Sequence, residues 1–224
     1  MSRKGSLLLF DVDGTLAEID EARPFLAAFR QVYDVEVDTC WDGYRLRTDI
    51  GIAKEVLERH LGHSPNPEEI CRALDLFVVL MRAQLSSGEI SIRSVGGVEE
   101  VLPVLSDKGF ALGLATGCIE QSARLKLVSL GLDRYFPCGG FAEDSDFREE
   151  ILRKAIEHAR AYYGATFSAE EVLFLGDRAW DVQSARTVGT RFIGISSSEE
   201  RTSELRDAGA QTILSSYGDM MKCL

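Results

Sequence analysis

The stretch Leu7-Leu8-Leu9-Phe10-Asp11-Val12-Asp13-Gly14-Thr15-Leu16 decides how this chain is read. Four apolar residues run into two aspartates one residue apart, and a glycine follows. A short unbroken apolar run predicts a strand buried on both faces, as in a parallel sheet. The aspartates then stand at the strand's carboxyl end, the edge where open α/β sheets hold ligands. Gly14 permits a tight exit, and Thr15 can hydrogen-bond back to hold the loop. Two carboxylates in an apolar setting repel each other and lose solvation, so the pair calls for a cation or a shared proton. A hard divalent ion such as Mg²⁺, held by few carboxylates plus substrate phosphate oxygens, suits such a place.

Two more strand ends carry polar groups. Leu112-Gly113-Leu114-Ala115-Thr116-Gly117 delivers a hydroxyl and a flexible backbone to a helix start. Thr116 can donate to a phosphate oxygen, and the amides of Gly117 and Cys118 can point at the same anion. The plainer alternative is a turn capped by threonine. Leu173-Phe174-Leu175-Gly176-Asp177-Arg178-Ala179-Trp180-Asp181 again ends a buried strand in carboxylates, four residues apart. That spacing lets both face one side of a turn entering a helix. Asp177 is placed to ligate a metal; Asp181 would ligate it directly or support the site from behind. The plain reading is a helix cap at Asp177 with Asp181 in solvent.

Asp11 to Leu16 resembles the first signature of the haloacid dehalogenase superfamily, most of whose members are Mg²⁺-dependent phosphatases. Thr116 resembles the second motif, and Gly176-Asp177-x-x-x-Asp181 the acidic fourth, with Arg178 where a small Ser or Thr is common. The third motif of that family is a basic residue near the start of the helix preceding the Gly-Asp strand. Arg148, Arg153 and Lys154 are the candidates. Arg148 follows directly on an expected cap at Asp146, whereas Lys154 stands four after Glu150, the spacing of a solvated ion pair. Arg148 is therefore expected in the role, its planar fork suiting phosphate. The resemblance implies an α/β fold: a Rossmann-like three-layer core with a parallel sheet, built from 1–16 and 95–224, and an inserted α-helical cap at 17–94. It implies Asp11 as nucleophile and Asp13 as acid and base. It also implies Thr116, Gly117 and Arg148 on the phosphate, and Mg²⁺ held by Asp11, Asp13, Asp177 and Asp181. The substrate it implies is a small phosphorylated metabolite, such as phosphoglycolate or a sugar phosphate.

The periodicity agrees with such an insertion. Glu21 to Val32, Asp49 to Leu61 and Pro67 to Leu85 repeat apolar residues every three or four positions, and Pro67-Glu68-Glu69 makes a good helix start. From Val95 onward helix and strand alternate, as in βα units. Strands are expected at 110–115, 136–141, 172–175, 191–195 and 211–214. Helices are expected at 98–108, 120–130, 146–163, 180–188 and 199–208, with Asp146 and Glu149 forming an acidic capping pattern. Trp41, Tyr44 and Phe77 read as cap packing; His60, His63 and His158 as surface residues. Arg45, Arg47, Thr48 and Asp49 form a polar cluster at a helix start, either solvated or facing the leaving group.

Composition narrows the class. Of the 224 residues, 45% are hydrophobic and 27% charged, an ordinary globular balance. No run approaches a membrane span and no signal-like segment opens the chain, so a cytoplasmic protein is expected. Cys40, Cys71, Cys118, Cys138 and Cys223 are scattered without a C-x-x-C, which fits reduced thiols and no zinc site. The net charge of −11 argues against a nucleic-acid partner. It also means that an anionic substrate must be drawn by local groups. A monomer or homodimer is expected. A sugar-phosphate mutase would use the same motifs. A phosphonate hydrolase needs a cap lysine, and Lys54, followed by Glu55 and Glu58, reads as a surface ion pair. Dehalogenation needs neither Asp13 nor a metal. A regulatory phosphate-binding module would not need the full acidic set.

Overall fold

A computed structural model describes residues 6–224 of the protein. Its strands are β1 Leu7–Phe10, β2 Ala17–Ile19, β3 Ile92–Ser94, β4 Ala111–Ala115, β5 Gly139–Gly140, β6 Val172–Gly176, β7 Arg191–Ile195 and β8 Ile213–Leu214. Its α-helices are α1 Ala22–Tyr33, α2 Asp49–Leu61, α3 Pro67–Ser87, α4 Val98–Asp107, α5 Glu120–Ser129, α6 Arg148–Tyr163, α7 Ala179–Val188 and α8 Glu199–Asp207. Six strands form one sheet in the order β5-β4-β1-β6-β7-β8, every pair parallel.

All four side chains of β1 are fully buried. Successive residues of a strand face opposite ways, so Leu8 and Phe10 pack with Leu102, Leu127 and Phe136 on one face. Leu7 and Leu9 pack with Leu152, Ile156 and Phe174 on the other. At roughly 2 kcal/mol per buried side chain, this strand anchors both layers. Phe10 pairs with Leu114 on one side and Leu175 on the other, so β1, β4 and β6 end level. The chain winds from β1 out to β5, then returns to β6, which makes the carboxyl edge of β1 the point where the winding reverses.

The helices α1, α2 and α3 form a cap with its own apolar cluster, in which Phe25, Phe29, Leu57, Phe77 and Met81 meet. Ile119 and Ala142, from loops beyond β4 and β5, complete that cluster and tie the cap to the sheet. Asn66 caps α3 through a reciprocal pair with Glu69, behind Pro67. Among the described residues no helix is long and apolar enough to cross a membrane.

Four expectations change. The segment 17–94 is not helical throughout: β2 and β3 pair antiparallel where the chain enters and leaves the cap. Strands of three residues are too short for a periodic signal, and each finds its partner far away in sequence. The strand expected over 136–141 shrinks to Gly139–Gly140, because Phe136 follows a short 3₁₀ turn and drops into the core. Asp146 does not cap α6. Phe147 holds the cap position without a side-chain bond, and the Asp146 carboxylate accepts from Lys54 Nζ at 2.7 and 2.6 Å. Lys54 is accordingly not a local pair with Glu55 or Glu58; it bridges cap helix α2 to the loop before α6.

Candidate active site

The level ends of three strands bring distant residues together. Carboxylate oxygens of Asp11, Asp177 and Asp181 lie within 4.8 Å of one another, and all three residues are buried. Arg148, the first residue of α6, sets Nη2 3.2 Å from Asp11 Oδ1 and also bonds Asp181 Oδ1. Asp181 is held in addition by the Arg178 amide, which donates to Oδ2 at 3.1 Å. The Thr116 hydroxyl hydrogen-bonds the Asp11 carboxylate. Two glycines make the approach possible. Gly14 has φ +74°, and a Cβ there would fall 2.3 Å from Asp177 Oδ2. A Cβ on Gly176 would fall 2.6 Å from Asp181 Oδ2. Both distances are far inside van der Waals contact, so the motif glycines exist to let carboxylates close in.

The electrostatics are those of a site built for a cation. Burial pushes Asp11 up to about 6; Arg148 opposes this, while Asp181 and Asp13 add to it. Burial, with Asp181 and Asp11 beside it, raises Asp177 well above the usual carboxylate range. Oδ1 of Asp11 and Oδ1 of Asp177 are buried with no hydrogen-bond partner. Buried polar atoms are seldom left so, and the guanidiniums of Arg148 and Arg178 do not balance three buried carboxylates. An all-oxygen donor set of this kind fits a hard divalent ion such as Mg²⁺.

This arrangement predicts how stability responds to pH without the ion. Asp11 and Glu21 are raised above their ordinary values, to about 6 and about 8. Their contributions are therefore fully present below pH 4 and are lost as pH rises through 6 and then 8. Thermal unfolding in chelator should show the melting temperature falling across that window. Mg²⁺ at a hundredfold excess over its Kd should restore about 3 kcal/mol, or roughly 5–10 °C, at pH 8 and far less at pH 5. Equal Mg²⁺ stabilisation at both pH values would contradict a carboxylate site of this charge.

Asp13 lies apart from the trio. Its carboxylate accepts from Lys126 Nζ at 2.8 and 2.7 Å and from the Cys118 thiol at 2.9 Å. Asp13 is expected as a metal ligand, and its carboxylate is engaged by this lysine. Burial is the largest influence and would raise the pKa of Asp13, but Lys126, the Cys118 thiol and Glu21 together outweigh it and lower the value. The Lys126 side chain has no exposed surface, and its ammonium also pairs with Glu21. Burial would discharge it, yet Asp13, Glu21 and Asp49 hold it well on the charged side. Glu21 and Asp49 are themselves pushed up, chiefly by burial, to about 8 and about 6. Nothing in the motifs pointed to Lys126. The available signal was a lysine on the α5 stripe that also carries Ala123 and Leu127 and faces the core.

Residues 8–195 match the sequence profile of the haloacid dehalogenase-like hydrolases. This chain belongs to that family. A phosphoglycolate phosphatase of Pseudomonas savastanoi pv. phaseolicola is 26% identical over 204 residues, covering 85% of this chain and 69% of its own. A pyrophosphatase PpaX of Anoxybacillus flavithermus is 22% identical over 222 residues, covering 97% and 95%. A crystal structure described as a predicted phosphoglycolate phosphatase from Haemophilus somnus shares the fold at TM-score 0.71 and 16% identity, over 100% of this chain and 99% of that one.

In this haloacid dehalogenase-like hydrolase Asp11, Asp177 and Arg148 line a cleft of about 720 Å³ between sheet edge and cap, with Asp181 buried behind them. Lys154 is not there: it pairs with Glu157 at 2.7 Å on the surface, and Arg153 pairs with Glu150. The Gly117 carbonyl accepts from the cap amide of Asp49 at 2.8 Å. The Cys118 amide, expected to face an anion, bonds Thr116 Oγ1 at 3.3 Å, and its thiol is held neutral, chiefly by burial. Tyr44 and Phe77 pack inside the cap as expected, while Trp41 also reaches the cleft. His158 is half exposed, with Nδ1 2.7 Å from the Gly139 carbonyl.

Proposed function

We propose that this chain is a Mg²⁺-dependent phosphatase that hydrolyses a small phosphorylated metabolite through an aspartyl-phosphate on Asp11. The observation that carries this is the buried trio of carboxylates, with Arg148 3.2 Å from Asp11 Oδ1 and Oδ1 of Asp177 left without a hydrogen-bond partner. Asp11, Asp177 and Asp181 would hold the ion, whose positive charge polarises the phosphoryl group when bound. In the first half-reaction an Asp11 oxygen bonds to phosphorus as the bond to the leaving oxygen breaks, and Asp13, ionised at rest beside Lys126, relays a proton to that oxygen. Arg148 and the Thr116 hydroxyl bear on the equatorial oxygens, where charge is spread in the transition state. In the second, Asp13 takes a proton from water as the water attacks phosphorus. Inorganic phosphate leaves and Asp11 returns as a carboxylate. Glu21, protonated at neutral pH and hydrogen-bonded to Asp13, supports the supply of that first proton.

The names of the two relatives, a phosphoglycolate phosphatase and a pyrophosphatase, support a small anionic phosphate as substrate. Five free cysteines support a reducing, cytoplasmic setting. The test is release of inorganic phosphate from p-nitrophenyl phosphate with Mg²⁺ and with chelator. Hydrolysis that needs the ion is expected; none with Mg²⁺ present would end this reading. Added hexose bisphosphate that stimulated interconversion of hexose monophosphates without net phosphate release would mark a mutase instead.

A further inference from the structure

The cleft also holds cations that the phosphoryl chemistry leaves idle. Trp180, in the first turn of α7, lines it half-buried. Two guanidiniums lie against its indole: Arg47, from the cap, and Arg178, from the loop after β6, each 5.2 Å from the ring centroid. The indole face attracts each cation, but two like charges on one ring repel. Arg178 Nε is 3.3 Å from Asp177 Oδ2. Among the described residues Arg47 makes no ion pair. Its Nη2 donates only to the Asp42 carbonyl at 3.3 Å, and its Nε is buried with no acceptor. A buried charged donor without an acceptor, beside a second guanidinium and within the substrate cleft, is a seat for an anion.

We propose, on the phosphatase reading above, that the leaving portion of the substrate carries a second anionic group, a carboxylate or a phosphate, bound between Arg47 and Arg178 on Trp180. The arrangement answers the overall charge. A protein of net charge −11 must attract a multiply charged metabolite through cations placed in the cleft itself. It also links binding to the cap, since one arginine comes from each side and a shared anion draws them together. Arg178, where relatives of this motif often carry a small residue, thereby gains a role of its own.

Steady-state kinetics in Mg²⁺ with p-nitrophenyl phosphate, phosphoglycolate and pyrophosphate test it. The first substrate has no second anion, the second a carboxylate, the third a phosphate. The wild-type protein should favour one anionic substrate over p-nitrophenyl phosphate by tenfold or more in kcat/KM, and which one identifies the anion. In Arg47→Met and in Arg178→Ser that preference should fall tenfold or more, chiefly through KM, with Arg47→Lys recovering part of it. A merely structural role would lower all three substrates alike and leave the ratio where it was. An unchanged ratio, or a wild-type protein that hydrolyses p-nitrophenyl phosphate and favours neither anion, overturns the subsite while the phosphatase stands. No hydrolysis of any of the three overturns both.

Discussion

Asp11→Asn is expected to lose about 10⁴-fold or more in kcat and to form no phosphoenzyme. An amide keeps the shape of the carboxylate but cannot attack phosphorus, and it weakens the oxygen set available to a divalent ion. The loss is separable from misfolding. Asp11 is buried and its pKa is raised to about 6, so above that pH its charge works against the folded chain in the absence of metal. The amide removes that charge and relieves repulsion with Asp181 and Asp13, while Arg148 keeps Asp181. In chelator at pH 8 the variant should therefore melt at or above the wild-type temperature while remaining inactive. Acid-quenched wild-type protein should show the mass of one added phosphoryl group during turnover, and the variant none. Full turnover by Asp11→Asn would defeat nucleophilic catalysis at this residue.

What the sequence made readable follows from how each feature is encoded. β1 was readable because burial on both faces leaves no polar residue in Leu7–Phe10, and the aspartates because they break that run abruptly. The parallel register then carried Thr116 and Asp177 to the same edge without further information. Arg148 was readable from position, since the first turn of a helix that follows a sheet strand points over the strand ends. Lys54 misled because its neighbours Glu55 and Glu58 offered a local partner, whereas the fold supplied Asp146 from across the cap boundary. The ribbon of β2 and β3 has no local signature at all. Lys126 is the instructive miss. It sits in a helix rich in polar residues, where one more lysine is unremarkable, and its burial depends on three carboxylates contributed by β1's loop, the start of α1 and α2.

That dependence makes Lys126→Met the second large effect expected. The ammonium is wholly buried and faces Asp13, Glu21 and Asp49, so methionine fills the space but leaves the acids without a countercharge. Removing one partner of a buried ionic cluster costs about 3–5 kcal/mol, or on the order of 10 °C in melting temperature for a chain of this size. The cost has a sign in pH. Acids deprived of the lysine can be relieved only by taking up protons, so the destabilisation should be greatest near pH 8 and shrink toward pH 5. Glu21→Gln in the same chain should recover part of it, because the double variant removes one of the stranded charges together with the cation. Denaturant unfolding at the two pH values, on wild type, both single variants and the double variant, measures each quantity. A loss below about 1 kcal/mol that ignores pH would mean that the lysine does not balance these acids. The expected coupling would make the acid at Asp13 and the seating of the cap parts of one ionic unit, because Glu21 and Asp49 border α1 and open α2.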